Sequence, residues 1–175
     1  MGIWLDQNLV INANTLYANR IGEEQVLVGK DAQITLPSVT NMTTDANLMG
    51  NFTVPILAQI ENMQTTVHHI GVVNRIKNLL GQESIELEMR WVQQVMTADA
   101  AQGTVSGKAF ITGYPQTVMP EIDIQPGQSV DLEMIYTVSK YKLVVDGETL
   151  CNIDRIAGIL EIGGKDYFAD LSSML

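Results

Sequence analysis

Two adjacent histidines, a single cysteine and carboxylates at alternate positions are the residues of this 175-residue chain whose types could do chemistry. His68 and His69 are neighbours, and on a strand neighbouring side chains leave opposite faces, so the pair cannot close on one metal ion. No second cysteine and no His-Glu-x-x-His pattern accompanies them. Cys151 has no partner for a disulfide and sits in an apolar strand-like run, where it reads as a small core residue. Residues 158–165 have the outline of a phosphate loop. However, Gly164 stands where lysine must follow Gly163, and Asp166 replaces the hydroxyl residue that would hold magnesium. Gly103-Thr104-Val105-Ser106-Gly107 places its serine one position late for a nucleophile elbow. Glu86 and Glu88 share a strand face, as do Asp131 and Glu133, and acids so spaced read as a solvated face. Asn41-Met42-Thr43 and Asn51-Phe52-Thr53 match the glycosylation pattern, a chance match in a chain that begins without a basic and apolar leader. No catalytic, metal-binding or cofactor-binding residue is assigned, no cofactor is expected, and an enzyme is not expected.

The elements that carry these residues are mostly strands. From 84 to 92 the chain alternates strictly: Ile85, Leu87, Met89 and Trp91 on one side, Glu86, Glu88 and Arg90 on the other. Val130, Leu132, Met134, Tyr136 and Val138 repeat the pattern, and so do Phe52, Val54, Ile56, Ala58 and Ile60. Pro55 lies inside that last run and cannot donate to a ladder, so part of its edge must be free. Asp146-Gly147 between two strand-like runs predicts a hairpin with a type I′ turn. Gln125-Pro126-Gly127-Gln128 predicts a turn before the strand of the 130s. Gly103 and Gly107 bracket the entry to a strand at about 108–114. Ile70, Val73, Ile76 and Leu80 have helical spacing, with Gly81 as the terminating residue, so a short helix is expected over 72–80. A second helical turn is expected at 166–171. The reading is one domain over residues 1–175, mainly antiparallel β with one or two short helices. Residues 40–51, rich in Asn and Thr but carrying Met42, Leu48 and Met49, are expected to form a long loop that reaches a neighbouring chain and is ordered by it.

Charge narrows the function. Ten basic and twenty acidic residues give a net charge of −10. That speaks against a nucleic-acid groove reader and against an electrostatic membrane binder. No Lys or Arg occurs between Lys30 and Arg75. Charged residues are only 17% of the chain, consistent with a surface partly covered by partners.

The run Tyr141-Lys142-Leu143-Val144-Val145-Asp146-Gly147-Glu148-Thr149-Leu150-Cys151-Asn152-Ile153-Asp154, continuing into Ile156, Ile159 and Glu161, resembles the end of the major tail tube proteins of contractile-tailed bacteriophages. Ile34-Thr35-Leu36-Pro37-Ser38-Val39-Thr40 is similar to the family's "TLP" strand, and Gly50 and Pro55 follow in suitable places. The resemblance implies the tail-tube fold, mainly β: a β-sandwich or barrel of antiparallel strands with one short flanking helix. It implies a structural, self-assembling protein: homo-hexameric rings stacked into an inner tube, with strands from each subunit joining one barrel around the lumen. It implies a sheath protein, a baseplate and a tape-measure protein as partners, and DNA that transits the lumen without specific binding. It places the chain in the virion tail, made in the host cytoplasm without a signal peptide. Related tubes occur in contractile bacteriocins.

Within that expectation, Met42, Leu48, Met49, Gly50 and Phe52 are the candidates for inter-subunit contact. Glu61, Glu86, Glu88, Asp131 and Glu133 are the candidate acids for the lumen or the tube surface. The alternative from a different class is a monomeric small β-barrel that binds a ligand or peptide.

Overall fold

The computed structural model describes residues 7–19, 24, 26–47, 49–68, 74–96 and 101–174. It is mainly antiparallel β, as the alternation predicts. β1 (Gln7–Asn19) pairs with β7 (Ile85–Met96), and β7 pairs with β8 (Gln102–Pro115). β8 pairs with β9 (Met134–Val145), and the upstream part of β9 pairs with β6 (Gln64–His68). β6 takes β3 (Gln33–Thr35) on its other side. β3 follows β2 (Val26–Lys30) after Asp31 and Ala32, and β2 pairs with β1. The sheet thus curls into a small barrel whose two end strands, β2 and β3, are joined by the chain through Asp31 and Ala32, with no ladder between them among the described residues.

Alternation fills the barrel. Leu16, Val28, Val67, Ile85, Leu87, Ile111, Met134 and Tyr136 all turn inward and are buried. At roughly 1.5–3 kcal/mol for each large apolar side chain removed from water, this interior is what holds the ring of strands shut. Two glycines allow close approach. A Cβ on Gly113 would stand 2.5 Å from the Thr137 carbonyl, where β8 and β9 slip register. A Cβ on Gly107 would run into the indole of Trp91, its cross-strand neighbour. Both lie within β8, which is longer than the strand expected over 108–114.

β6 and β10 (Glu148–Asp154) share one edge of β9, β6 beside its upstream residues and β10 beside its downstream ones. Between them the Val138 N–H donates to the Met63 carbonyl (2.9 Å) and the Arg155 N–H to the Ser139 carbonyl (3.0 Å). β10, β11 (Ile159–Ile162) and β12 (Lys165–Asp166) form a flap, followed by the short helix α1 (Ala169–Ser172). The β9–β10 turn is the expected one: Asp146 and Gly147 have φ of 51° and 79°, the two positive values of a type I′ turn.

Three elements differ from expectation. The described part of 72–80 is a 3-10 turn, Asn74–Asn78, followed by i→i+3 bonds from Leu79 to Ile76 and Leu80 to Lys77. Ile70 and Val73 lie outside the described residues. Asn74 and Asn78 are poor helix formers, and a three-residue period already buries Ile76 and Leu79. Val130 to Leu132 keep the inside–outside alternation, but β9 starts only at Met134, where its β6 partner strand begins to pair. Residues 40–51 are not a long loop. They are β4 (Asn41–Asn47) and the start of β5 (Asn51–Ile60), joined by a tight turn into a separate two-stranded sheet. The β-branched Thr and Val residues suit a strand, and Met49 (φ 54°) and Gly50 (φ 123°) supply the turn.

Candidate assembly surface

The strands of the barrel are unequal in length, and the excess makes an exposed ribbon. β2 covers only residues 15–18 of β1, and β9 covers only 107–115 of β8. Beyond those points, residues 7–14 of β1, 91–96 of β7 and 102–106 of β8 continue as three strands paired to one another. Among the described residues no strand pairs the outer edge of β1 over 7–13 or of β8 over 102–105. Each edge is a row of backbone donors and acceptors that a further strand would satisfy. Val10, Ile11, Val92 and Met96 are exposed on this ribbon, Ile11 at 61%. Trp91 lying across Gly107 marks the ribbon's root.

The β4–β5 hairpin is the second projection. From Asn47↔Asn51 to Thr43↔Pro55 its register is regular; the next pair is Asn41↔Ile60, which leaves a bulge on β5. Ala58 sits in that bulge with φ of 55°, a strained value for a residue with a Cβ. Pro55 is tolerated because β5 has one free edge. The root is tied to the body: Glu61 N–H donates to the Thr40 carbonyl (2.8 Å), and the Arg155 guanidinium donates to the carbonyls of Glu61 (3.1 Å) and Ile60 (3.4 Å). Of the contact candidates, Met42, Met49, Gly50 and Phe52 all lie on this hairpin and are exposed, Met49 completely. Leu48 lies outside the described residues. The structure thus brings four candidates together on one protruding element, and adds Leu57, which is also exposed.

The five candidate acids fall in three places. Glu61 is exposed at the hairpin root. Asp131 and Glu133 are exposed just ahead of β9, with Glu133 3.4 Å from His68. Glu86 and Glu88 share the outward face of β7, but Glu88 is buried, against the expectation of a solvated face. Its carboxylate is ion-paired with Arg90 at 2.5 Å, and Arg90 lies over the Tyr17 ring at 4.6 Å. The hydrogen bond from Arg90 to Glu88 raises the guanidinium pKa. Glu86 accepts a hydrogen bond from Asn19 (3.1 Å). The same face carries Lys108, Lys140 and Lys142, which the register places opposite Arg90, Thr112 and Phe110. It is a face of mixed charge rather than an acidic one.

Between the open β1 edge and the chain from Asp31 to Leu36 lies a largely apolar groove of about 560 Å³, walled by Ile11, Ala13, Ile34, Leu36, Met89 and Trp91. Beside it Asn14 Oδ1 is buried and accepts no hydrogen bond. The groove and the ribbon were not foreseen. The signal that bears on them is a mismatch of strand lengths, which exists only once the pairing is known.

The motifs with a chemical look take structural roles. Gly163 and Gly164 (φ 59° and 78°) form the turn between β11 and β12. Cys151 is buried in β10, and burial pushes its thiol pKa up. Asp154 accepts from the N–H groups of Ile156 and Ala157 (3.0 Å each) and pairs with Lys140 (3.1 Å). Its pKa is lowered, first by the Ala157 N–H and then by Lys140 and the Ile156 N–H. Among the described residues no group of three or more His, Cys, Asp or Glu could hold a metal ion, and no helix is long and apolar enough to cross a membrane.

The open strand edges and the projecting hairpin are surfaces on which a further chain could pair. The family comparison gives the class of protein: the model of the phage tail tube protein FII family matches residues 11–175, and the chain belongs to that family. It is accordingly a structural protein of a phage-type tail tube. No curated protein matches it. Among solved structures, the sheath/tube terminator of an extracellular contractile injection system (PVC, extended state, by cryo-EM) is similar. It is 11% identical with a TM-score of 0.49, over 82% of this chain and 99% of that one.

Proposed function

We propose that copies of this chain join through their open strand edges into rings, six to a ring, and that the rings stack into the inner tube of a contractile tail. The observation that carries this reading is the three-stranded ribbon whose two outer edges are unpaired among the described residues. The β1 edge of one copy and the β8 edge of the next are different surfaces, so the contact is heterologous and closes into a ring if the rotation allows. Closure removes the edges that would otherwise invite aggregation. The sheath, baseplate and tape-measure proteins are the partners, and the single domain is the repeating unit. The reaction is assembly alone, with no chemical step.

The lumen is a conduit for DNA. A ring of six would carry about −60, six times the −10 of one chain, and that field disfavours retention of a polyanion. Glu61, Asp131 and Glu133 are exposed acids that would add to it, whereas Glu88 is buried beside Arg90.

Negative-stain microscopy of the purified chain at high concentration tests the proposal: rings or tubes of uniform bore are expected. The second reading, a monomeric binding module, is favoured by the groove of about 560 Å³, a size within the range of small-molecule sites. Sedimentation showing only a compact monomer at micromolar concentration, with no polymer on seeding, would favour that reading instead.

A further inference from the structure

We propose that the pocket between the root of the β4–β5 hairpin and the flap is a binding site for a small apolar carboxylate, a short alkyl or aryl chain that carries one negative charge. The site uses neither open strand edge, so the tube reading stands or falls apart from it.

Four strands and the chain just ahead of α1 meet at this pocket. Met42 of β4, Ile60 of β5, Ile153 of β10, Leu160 of β11 and Phe168 wall a space of about 320 Å³. That is at the small end of the range of ligand sites, about 300–1,000 Å³. Ile153 and Leu160 are buried members of the core, so the floor is fixed, while Met42 is exposed and stands where a ligand would enter.

The β5 bulge shapes the wall. Along a regular strand Gln59 would turn away from the side on which Ala58 and Ile60 lie, yet all three line the pocket in succession. Between Thr43↔Pro55 and Asn41↔Ile60, β5 advances five residues while β4 advances two. The surplus bends the strand and holds Ala58 at φ 55°. Strain of this kind persists only where the surroundings hold it, and it gathers at ligand sites.

Charge selects the ligand. Arg155 is the single charged residue among those that line the pocket. Its guanidinium has five N–H donors, and two of them go to the carbonyls of Glu61 and Ile60. Three remain, in the fixed planar fork that suits a carboxylate. The acids nearest in the chain do not compete for them. Asp154 pairs with Lys140, and Glu61 meets Arg155 through its carbonyl. An apolar wall with one cation and no anion takes a ligand whose body leaves water and whose head pairs with the guanidinium. A carboxylate on a short hydrocarbon is that ligand, and a neutral or cationic analogue of the same length is not.

Equilibrium dialysis of radiolabelled hexanoate against the full chain tests this. Saturable binding of one hexanoate per chain is expected. Hexanol lacks the charge, hexylamine has the wrong sign and acetate lacks the tail, so none of them at equal concentration should displace it. Arg155→Gln should weaken binding at least about tenfold, the loss of a charge-assisted hydrogen bond. Met42→Glu, at an exposed position, sets a like charge at the entrance and should weaken binding as much, with the melting temperature unchanged. Lys108→Gln, outside the pocket, should bind as wild type does. No saturable binding, displacement by hexanol as efficient as by hexanoate, wild-type affinity in either Arg155→Gln or Met42→Glu, or an equal loss in Lys108→Gln overturns the site. If Arg155→Gln does not fold, Met42→Glu and Lys108→Gln decide between them.

Discussion

Replacing Gly107 with alanine puts a methyl group where the Trp91 indole lies. The clash is with ring carbons of a side chain that also packs against the core. Relief requires the indole to tilt or β8 to move away from β7, and overpacking of this kind costs about 1–3 kcal/mol. For a domain of this length each kcal/mol lowers the melting temperature by roughly 2–4 °C, so a fall of about 2–12 °C is expected. The attribution is tested by a double-mutant cycle. Trp91→Ala alone costs about 3 kcal/mol, at the low end for a tryptophan because Trp91 is only half-buried. With the indole gone, Gly107→Ala should cost nothing, so the coupling equals the single-mutant penalty of Gly107→Ala with opposite sign. Urea unfolding of the four proteins is the assay. If Gly107→Ala destabilises the Trp91→Ala background as much as the wild type, the clash is not the cause. Because this pair stands at the root of the ribbon, the single Gly107→Ala variant should also assemble more slowly at matched folded concentration.

Asp154→Asn should flatten the acid limb of stability. The depressed pKa of Asp154 contributes stability that is present above its unfolded value of about 3.9 and is lost as pH falls through the lower folded value. Wild type should therefore lose more stability than the variant between about pH 5 and pH 2 by urea titration. Tyr136 and Tyr141 behave in the opposite sense: burial raises both phenol pKa values, so their contribution is present below the unfolded value of about 10 and is lost above it. Tyr136→Phe should resist alkaline unfolding better than wild type. At neutral pH it should stay within about 1 kcal/mol, since its hydroxyl makes one long hydrogen bond, 3.5 Å to the Leu79 carbonyl. Gly147→Ala, at φ 79°, should cost roughly 1–2 kcal/mol by urea unfolding, because the turn demands a left-handed residue.

What could be read from the sequence was whatever is local. Alternation over 84–92 located β7 and its inward face correctly, and Asp146-Gly147 located the turn and its type, because the period of a strand and the φ of a turn are properties of adjacent residues. The hairpin over 41–60 was half seen: its downstream strand was read from Phe52 to Ile60, but its upstream strand is made of Asn, Thr and Asp, which look like a loop until a partner strand is present. Glu88 shows the same limit. Its place on the polar face was right, yet the side chain is buried because Arg90, Glu88 and Tyr17 meet across two strands whose register no local pattern records. The open edges and the groove depend entirely on which strand ends first, a fact of pairing and not of composition.

The hairpin has a consequence at the bench. Between Lys30 and Arg75 there is no lysine or arginine, so this most prominent projection offers trypsin nowhere to cut. A tryptic digest would leave it whole and make the subunit look more resistant than its architecture warrants. Chymotrypsin meets Phe52 and Leu57 in the open and would report on the same element directly. The pair of enzymes distinguishes a hairpin standing in solvent from one covered by a neighbour, and needs no label, variant or microscope to do so.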